Sequence, residues 1–319
     1  MMRALIQDRY GPVDAVRLGE RPVPRPGEGE VLVQVRAASL NGSDRENLAG
    51  RPAYARLGGL RRPRHPVPGS DISGVVVALG SGVTALAVGD EVFGELRGYR
   101  GALAEHAVAA VDTLAPKPAA LSFAQAAAIP QAGCIALRAT AGLREGDRLL
   151  VNGAGGSGGA FVLALARRLG AHTIGADRRA KAEHMLRVGA LETIDCDAHD
   201  RADDRGSYDR IVDLVGHRAP HRVHRALRPE GAYLLVGGQT RVLLATVIAG
   251  PLLGRVTGKR VRVLAVPQSR ALLEEVAGIL TADDVERAIE RTYPFDDAPA
   301  ALARLAAGET RGKLVVEMP

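Results

Sequence analysis

The residues with the clearest chemical use act through their backbones. Leu149-Leu150-Val151-Asn152 reads as a buried strand. It runs into Gly153-Ala154-Gly155-Gly156-Ser157-Gly158-Gly159 and then into an apolar helix over 159–169. Glycines at 153, 156 and 159 satisfy a G-x-x-G-x-x-G spacing. In such a turn one glycine permits the tight reversal, another lets N–H groups approach a diphosphate, and a third lets helix and strand pack closely. The helix N-terminus adds partial positive charge. The spacing alone is weak, and its place between a strand and a helix gives it weight. The acidic residue expected about 20 residues further on is Asp177, which would bind both ribose hydroxyls of NAD(H). Arg178, Arg179 and Lys181 follow at once. They suit the 2′-phosphate of NADP(H), or simply open a solvated helix. The residues imply NADP(H) or NAD(H) without deciding between them.

Other residue types exclude more than they offer. Two cysteines, Cys134 and Cys196, make neither a disulfide framework nor a four-thiolate zinc site, and fit a reducing cytoplasm. His217, His221 and His224 have helical spacing but stand among arginines, as on a solvated face. The net charge of +6 carries an arginine bias, only four of 42 basic residues being lysine. The densest basic run, Arg61-Arg62-Pro63-Arg64, has no aromatic interleaved, so it reads as a solvated or anion-steering rim and not a nucleic-acid surface. Charged Asp8 and Arg9 follow the apolar N-terminus directly, unlike a signal peptide. The apolar run 242–256 holds Gly250, Pro251, Gly254 and Arg255. It is too short and broken to span a bilayer core of about 30 Å, so no membrane contact is expected.

These residues need elements to hold them. Up to about residue 115 the chain reads as β. Residues 32–37 alternate with period two, 72–79 form a strand closed by Gly80-Ser81-Gly82, and Gly89-Asp90 marks a hairpin. A small barrel-like β domain follows. The texture changes near Pro116-Lys117-Pro118. Strands at 148–152, 172–176, 211–215, 233–236 and 261–266 then alternate with helical runs, as in a parallel, doubly wound sheet. The tail reads as a strand over 285–292, a helix over 297–307 and a strand over 313–318. With 3% aromatics and no Trp, both cores must rest on Ala, Val and Leu.

Several segments together carry a family resemblance over essentially the whole chain: Asn41-Gly42-Ser43-Asp44, Pro68-Gly69-Ser70-Asp71-Ile72-Ser73-Gly74, Gly89-Asp90-Glu91-Val92-Phe93-Gly94, the turn 152–159, Asp213-Leu214-Val215-Gly216 and Arg311-Gly312-Lys313. The chain resembles the medium-chain dehydrogenase/reductase superfamily, and within it the zinc-free quinone oxidoreductase-like branch. The resemblance implies an α/β fold. A Rossmann doubly wound parallel sheet spans 121–282, and a GroES-like β-barrel catalytic domain is made of 1–120 and 283–319, with the coenzyme in the cleft. Zinc members of the superfamily place Cys where Asn41 stands and His where Ser70 stands. Their four-Cys lobe is missing from the short 95–104 segment, so no metal is expected. Without a Lewis acid a quinone or enone is the easier acceptor, because its charge delocalises onto a distant oxygen. The resemblance therefore implies NAD(P)H-dependent reduction of a small-molecule quinone or α,β-unsaturated carbonyl.

It also implies site residues. Asn41 would face nicotinamide and substrate, or cap a turn. Asp44 would orient that loop, or cap the 44–48 turn itself. Tyr54 and Tyr99 would donate protons, stack on a ring, or only pack their loops. Phe93 would line the pocket or belong to the core. Val215 lies in a strand-end motif, and Gly237-Gly238 ends a strand where relatives approach the nicotinamide. The chain departs from the pattern at Ile135, where Thr is usual, at Gln131, where an apolar residue is usual, and at Arg45, where an aromatic is frequent. Gln131 could supply the polar group that Ile135 lacks, and Arg45 points to a polar, anionic substrate. Relatives pair Rossmann edge strands, here 261–266, so a homodimer is expected. Two other functions stay open: a metal-independent ketone or alcohol dehydrogenase of secondary metabolism, and a dinucleotide-binding protein with a non-redox role, as isomerase, cyclase or regulator.

Overall fold

The computed structural model describes residues 1–57, 59–99, 101–198 and 204–319; the Tyr99 side chain, and with it the expected ring contacts, lies outside the described residues. The chain divides into two compact units, Met1–Cys134 with Pro267–Pro319, and Ile135–Val266.

Unit 1 begins with the strands β1 (Met2–Gln7), β2 (Val16–Arg21) and β3 (Glu30–Leu40), then helix α1 (Gly42–Ala49). Next come β4 (Asp71–Leu79), β5 (Glu91–Glu95), β6 (His106–Ala110) and β7 (Leu114–Pro116), helix α2 (Phe123–Ala128) and the start of α3 (Pro130–Thr140). In unit 2, β8 (Arg148–Asn152), α4 (Ser157–Arg168), β9 (His172–Asp177), α5 (Ala182–Val188) and β10 (Glu192–Asp195) form one half. The other half is β11 (Tyr208–Asp213), α6 (Pro220–Val223), β12 (Leu227–Leu235), α7 (Thr240–Thr257) and β13 (Arg260–Val263). The chain then returns to unit 1 as α8 (Arg270–Ile279), α9 (Ala282–Ala288), β14 (Ile289–Pro294), α10 (Ala298–Ala306) and β15 (Lys313–Glu317).

Unit 1 is a sheet of order β14-β15-β3-β4-β5-β7, with β6 also on β3 and the hairpin β1–β2 apart. The eleven-residue β3 is long enough for three partners: β4 runs along one edge, with register shifts at Leu32/Val33 and Val35/Ala37, while β6 pairs with 30–34 and β15 with 37–40 on the other. Val31, Val33, Val35, Ile72, Val76 and Val92 fill its core, the β-branched residues suited to a pleated, buried surface. Helices α2 and α8 belong to this unit, not to the dinucleotide unit as the 120/121 and 282/283 limits expected. Helix α2 packs on β3 and β4, and α8 on β7.

Two elements, one in the tail and one in unit 2, differ from the sequence reading. Residues 285–288 end helix α9, and the strand begins only at Ile289. Thr281 and Asp284 form a capping box, which starts a helix more strongly than the following β-branched residues oppose it. The 242–256 run is one unbroken helix, α7. Pro251 is exposed, so the carbonyl it leaves without an N–H partner, that of Val247, faces water and the helix continues.

Unit 2 is a six-stranded parallel sheet of order β10-β9-β8-β11-β12-β13. The order reverses between β8 and β11, and in open α/β sheets ligands bind beyond the strand ends at that reversal. Asn152 ends β8 and Asp213 ends β11, and the two are register partners.

Candidate functional site

In unit 2 the glycine turn joins β8 to α4. Gly153 has φ of +84°, a conformation that favours glycine. A Cβ at Gly159 would lie 2.4 Å from both Ala154 Cα and Gly153 O, so only hydrogen fits where helix meets strand. Gly156 is the N-cap of α4 and offers no side-chain acceptor to the first helical N–H groups. Donors open at a helix N-terminus, beside glycines that let a ligand approach, fit the diphosphate of a dinucleotide. Ser157 and Gly158 form the first turn of that helix, and Ala154 is buried beneath it.

Asp177 ends β9, and its carboxylate is turned toward the glycine turn. Oδ2 accepts from Gly155 N at 3.1 Å and from Lys181 Nζ at 3.5 Å, and Oδ1 accepts from Arg178 N at 2.8 Å. Arg178 and Arg179 are exposed beside it. Lys181 is buried, its stem against Gly155.

The strand ends are braced by Asp213. Its Oδ1 accepts from Asn152 Nδ2 at 2.7 Å, Val215 N at 3.0 Å and Gly216 N at 2.9 Å, and its Oδ2 from the Tyr233 hydroxyl at 2.9 Å. Gly238, with φ of +127°, lies so close to Gly216 that a Cβ would sit 2.6 Å from the Gly216 Cα. Val215, Gly237 and Gly238 thus surround the same strand ends. The three histidines do not share a helix: α6 is four residues long, His217 precedes it, and His217 Nδ1 meets Gln239 Nε2 at 3.0 Å.

In unit 1 several expected residues meet in a buried polar cluster with two that sequence reasoning missed, Lys313 and Glu95. Lys313 and Asp71 are both 0% exposed, with Nζ 3.3 Å from Asp71 Oδ2. Lys313 Nζ also donates to Asn41 Oδ1 at 2.5 Å. Asp71 further accepts from Ser70 Oγ at 3.0 Å and Gln131 N at 3.1 Å. Asn41 is the N-cap of α1, and its own N–H donates to Asp44 Oδ2 at 2.7 Å, so Asp44 is the third helical residue and not the cap. Gln131 Nε2 donates to Glu95 Oε1 at 2.7 Å, while Gln131 Oε1 accepts from Ser43 at 3.1 Å. Phe93 is wholly buried on β5, and the Tyr54 hydroxyl donates to Glu46 at 2.9 Å. Arg45 is exposed on α1, and Ile135 is half-buried on α3.

Burial, with the charge of Asp71 beside it, pushes the Glu95 carboxyl up to about 8. Burial near Glu95 and Asp71 likewise holds the Cys134 thiol protonated. An unfolded glutamate ionises near 4.5, so between 4.5 and about 8 the folded state carries the extra proton. The contribution of Glu95 to stability is full below the lower value and is lost as pH rises to the upper one. Glu95→Gln, neutral throughout, is expected to flatten this decline, each tenfold difference in proton affinity between folded and unfolded states being worth about 1.4 kcal/mol. Urea unfolding of both proteins from about pH 5 to about pH 8 checks it, and parallel curves would refute the assignment.

A Rossmann sheet with an uncapped glycine-turn helix, in one chain with a largely antiparallel sheet unit, is the architecture of a dinucleotide-dependent dehydrogenase or reductase. Comparison with known sequences gives the family. The profile "Alcohol dehydrogenase GroES-like domain" matches residues 27–119, and "Zinc-binding dehydrogenase" matches 188–316. The chain is 31% identical to the 2-methylene-furan-3-one reductase of Solanum lycopersicum, over 99% of this chain and 79% of that protein. It is 29% identical to the mitochondrial NAD(P)H oxidoreductase RTN4IP1 of Mus musculus, over 100% of this chain and 89% of that one. The solved quinone oxidoreductase of Coxiella burnetii superposes with a TM-score of 0.87 at 28% identity, covering 100% of this chain and 99% of that chain. The chain belongs to the medium-chain dehydrogenase/reductase superfamily, in its quinone oxidoreductase-like branch.

Proposed function

We propose that the protein is an NAD(P)H-dependent reductase of a quinone or an α,β-unsaturated carbonyl, working without a metal. The observation that carries the reading is the match, over 99% of the chain, to the 2-methylene-furan-3-one reductase. When bound, the coenzyme supplies the hydride. The glycine turn and the α4 N-terminus hold its diphosphate.

NADPH is the preferred form in this reading. Three donors already hold the Asp177 carboxylate, and the exposed Arg178 and Arg179 beside it bring the positive charge that suits a 2′-phosphate. Although one matching profile is named for zinc, the residues at the usual zinc positions do not fit that ion. Asn41 and Ser70 replace a thiolate and an imidazole, and the Lys313 ammonium already pairs with Asn41 and Asp71. The same reading carries a cytoplasmic homodimer through the open edge of β13, which static light scattering tests. A single-chain mass would overturn it.

Coenzyme oxidation, followed by loss of nicotinamide absorbance, tests the activity against quinones, enones and plain ketones. Turnover confined to plain ketones would move the protein to the metal-independent ketone dehydrogenases, and tight NADPH binding without turnover to a non-redox role. Replacing both Arg178 and Arg179 by Ser is expected to raise KM for NADPH about tenfold or more and leave that for NADH unchanged, since each charged hydrogen bond is worth about 1.5–3 kcal/mol. A parent enzyme that prefers NADH refutes the coenzyme assignment.

A further inference from the structure

Helix α7 has an outward face unlike that of its neighbours. With 3.6 residues per turn, Val242, Thr246 and Gly250 fall on one side and are buried. Gly250 lies close enough to β13 that a Cβ would meet Val261 O at 2.3 Å, so this side is clamped to the protein's own sheet. The opposite side carries Leu244, Ile248, Leu252 and Val256 at successive steps of four, with Val247 beside them, and each is more than half exposed, Ile248 at 75% and Val256 at 77%. On other helices exposed apolar side chains stand singly, as Leu186 on α5 and Ile279 on α8, beside exposed charges such as Arg167 and Arg168 on α4, Glu274 and Glu275 on α8, and Glu286 and Arg287 on α9.

Charge says what covers this face. Arg241 and Arg255 lie on the same side as the apolar stripe, one at each end, and both are exposed. Lys259, Arg260 and Arg262 follow, and 240–263 contains no Asp or Glu. Two copies meeting through the α7 stripe, on the side of the helix away from β13, would set Arg241 and Arg255 against their counterparts with no acid in the helix to answer them. A lipid surface answers both features at once: acyl chains take the stripe, and headgroup phosphates take the guanidinium groups at its ends. The helix has 18 residues and so is about 27 Å long. One side is packed on β13 and both ends of its apolar stripe are charged, which suits lying in the surface and not crossing it. The expectation of no membrane contact from sequence weighs spanning alone.

We propose that α7 is an interfacial helix that seats the protein on an anionic lipid surface. The test is co-sedimentation of the whole protein with sucrose-loaded vesicles, of phosphatidylcholine alone or of equal parts phosphatidylcholine and phosphatidylserine. Binding is expected to the mixed vesicles, to weaken with added salt, and to fall about tenfold in Ile248→Gln/Leu252→Gln, whose positions are exposed and whose unfolding curve and NADPH oxidation should match the parent. Three results would overturn the proposal: no sedimentation with anionic vesicles, equal sedimentation of the double variant, or light scattering in which the parent is dimeric and the variant monomeric while neither binds vesicles. The last would make the face a contact between copies.

Discussion

Replacing Lys313 by Met is expected to destabilise unit 1 by about 3–5 kcal/mol, the cost of stranding one charge of a buried pair. Lys313 and Asp71 are both 0% exposed, and removal of the ammonium leaves a carboxylate answered, among the described residues, by the Ser70 hydroxyl and the Gln131 N–H. Asn41 Oδ1 loses its donor in the same step. Asp71→Asn alone should cost a similar amount, because it strands the ammonium. The double variant Asp71→Asn/Lys313→Met should regain much of the loss, since the neutral pair carries no uncompensated charge. Urea unfolding of the four proteins gives the coupling energy directly. Single variants that each cost under about 1 kcal/mol, with additive effects, would show that the pair does not hold the cluster together.

The reason this pair escapes the sequence is distance along the chain. Lys313 and Asp71 are 242 positions apart and meet because β15 and β4 both pair with β3, bringing Leu314 opposite Leu40 and Asp71 opposite Ser39. Nothing local in Arg311-Gly312-Lys313 marks the lysine as buried. Glu95 escapes for the same reason: its raised proton affinity comes from burial and from the charge of Asp71 on the neighbouring strand, which only folding brings together. The glycine turn, by contrast, is a local object. Its strand, glycines and helix are contiguous, so both the turn and the doubly wound order can be read directly. Asp177 can be placed at the end of β9 but its use cannot, because the Gly155 N–H that engages it is a backbone group that nearly every residue type carries. The α9 capping box is legible in Thr281 and Asp284, yet the β-branched residues further on pull the reading toward a strand. Asn152 and Asp213 carry a usable signal, each a polar residue closing an apolar strand of one parallel sheet.

That last signal leads to the second large effect. Asp213→Ala is expected to cost about 3–4 kcal/mol and to weaken NADPH binding at least about tenfold. Asp213 is 3% exposed and its two oxygens take four donors, from Asn152, Val215, Gly216 and Tyr233. Truncation leaves all four without it in a site from which water is largely excluded, and Tyr233 is itself fully buried. The coenzyme side is touched because the hub ties the two strand ends: Asn152 immediately precedes Gly153, and a Cβ at Gly153 would lie 2.9 Å from Val215. Asp213→Asn separates geometry from charge. Its remaining oxygen still accepts from Asn152, Val215 and Gly216, and the Tyr233 hydroxyl can rotate to accept from the new amide. The Asn variant should therefore lose only about 1 kcal/mol and keep most of its affinity. Urea unfolding and titration of bound-coenzyme fluorescence measure the two effects separately. If Ala and Asn behave alike in both, the carboxylate is not the brace of the strand ends, and the turn is held by packing alone.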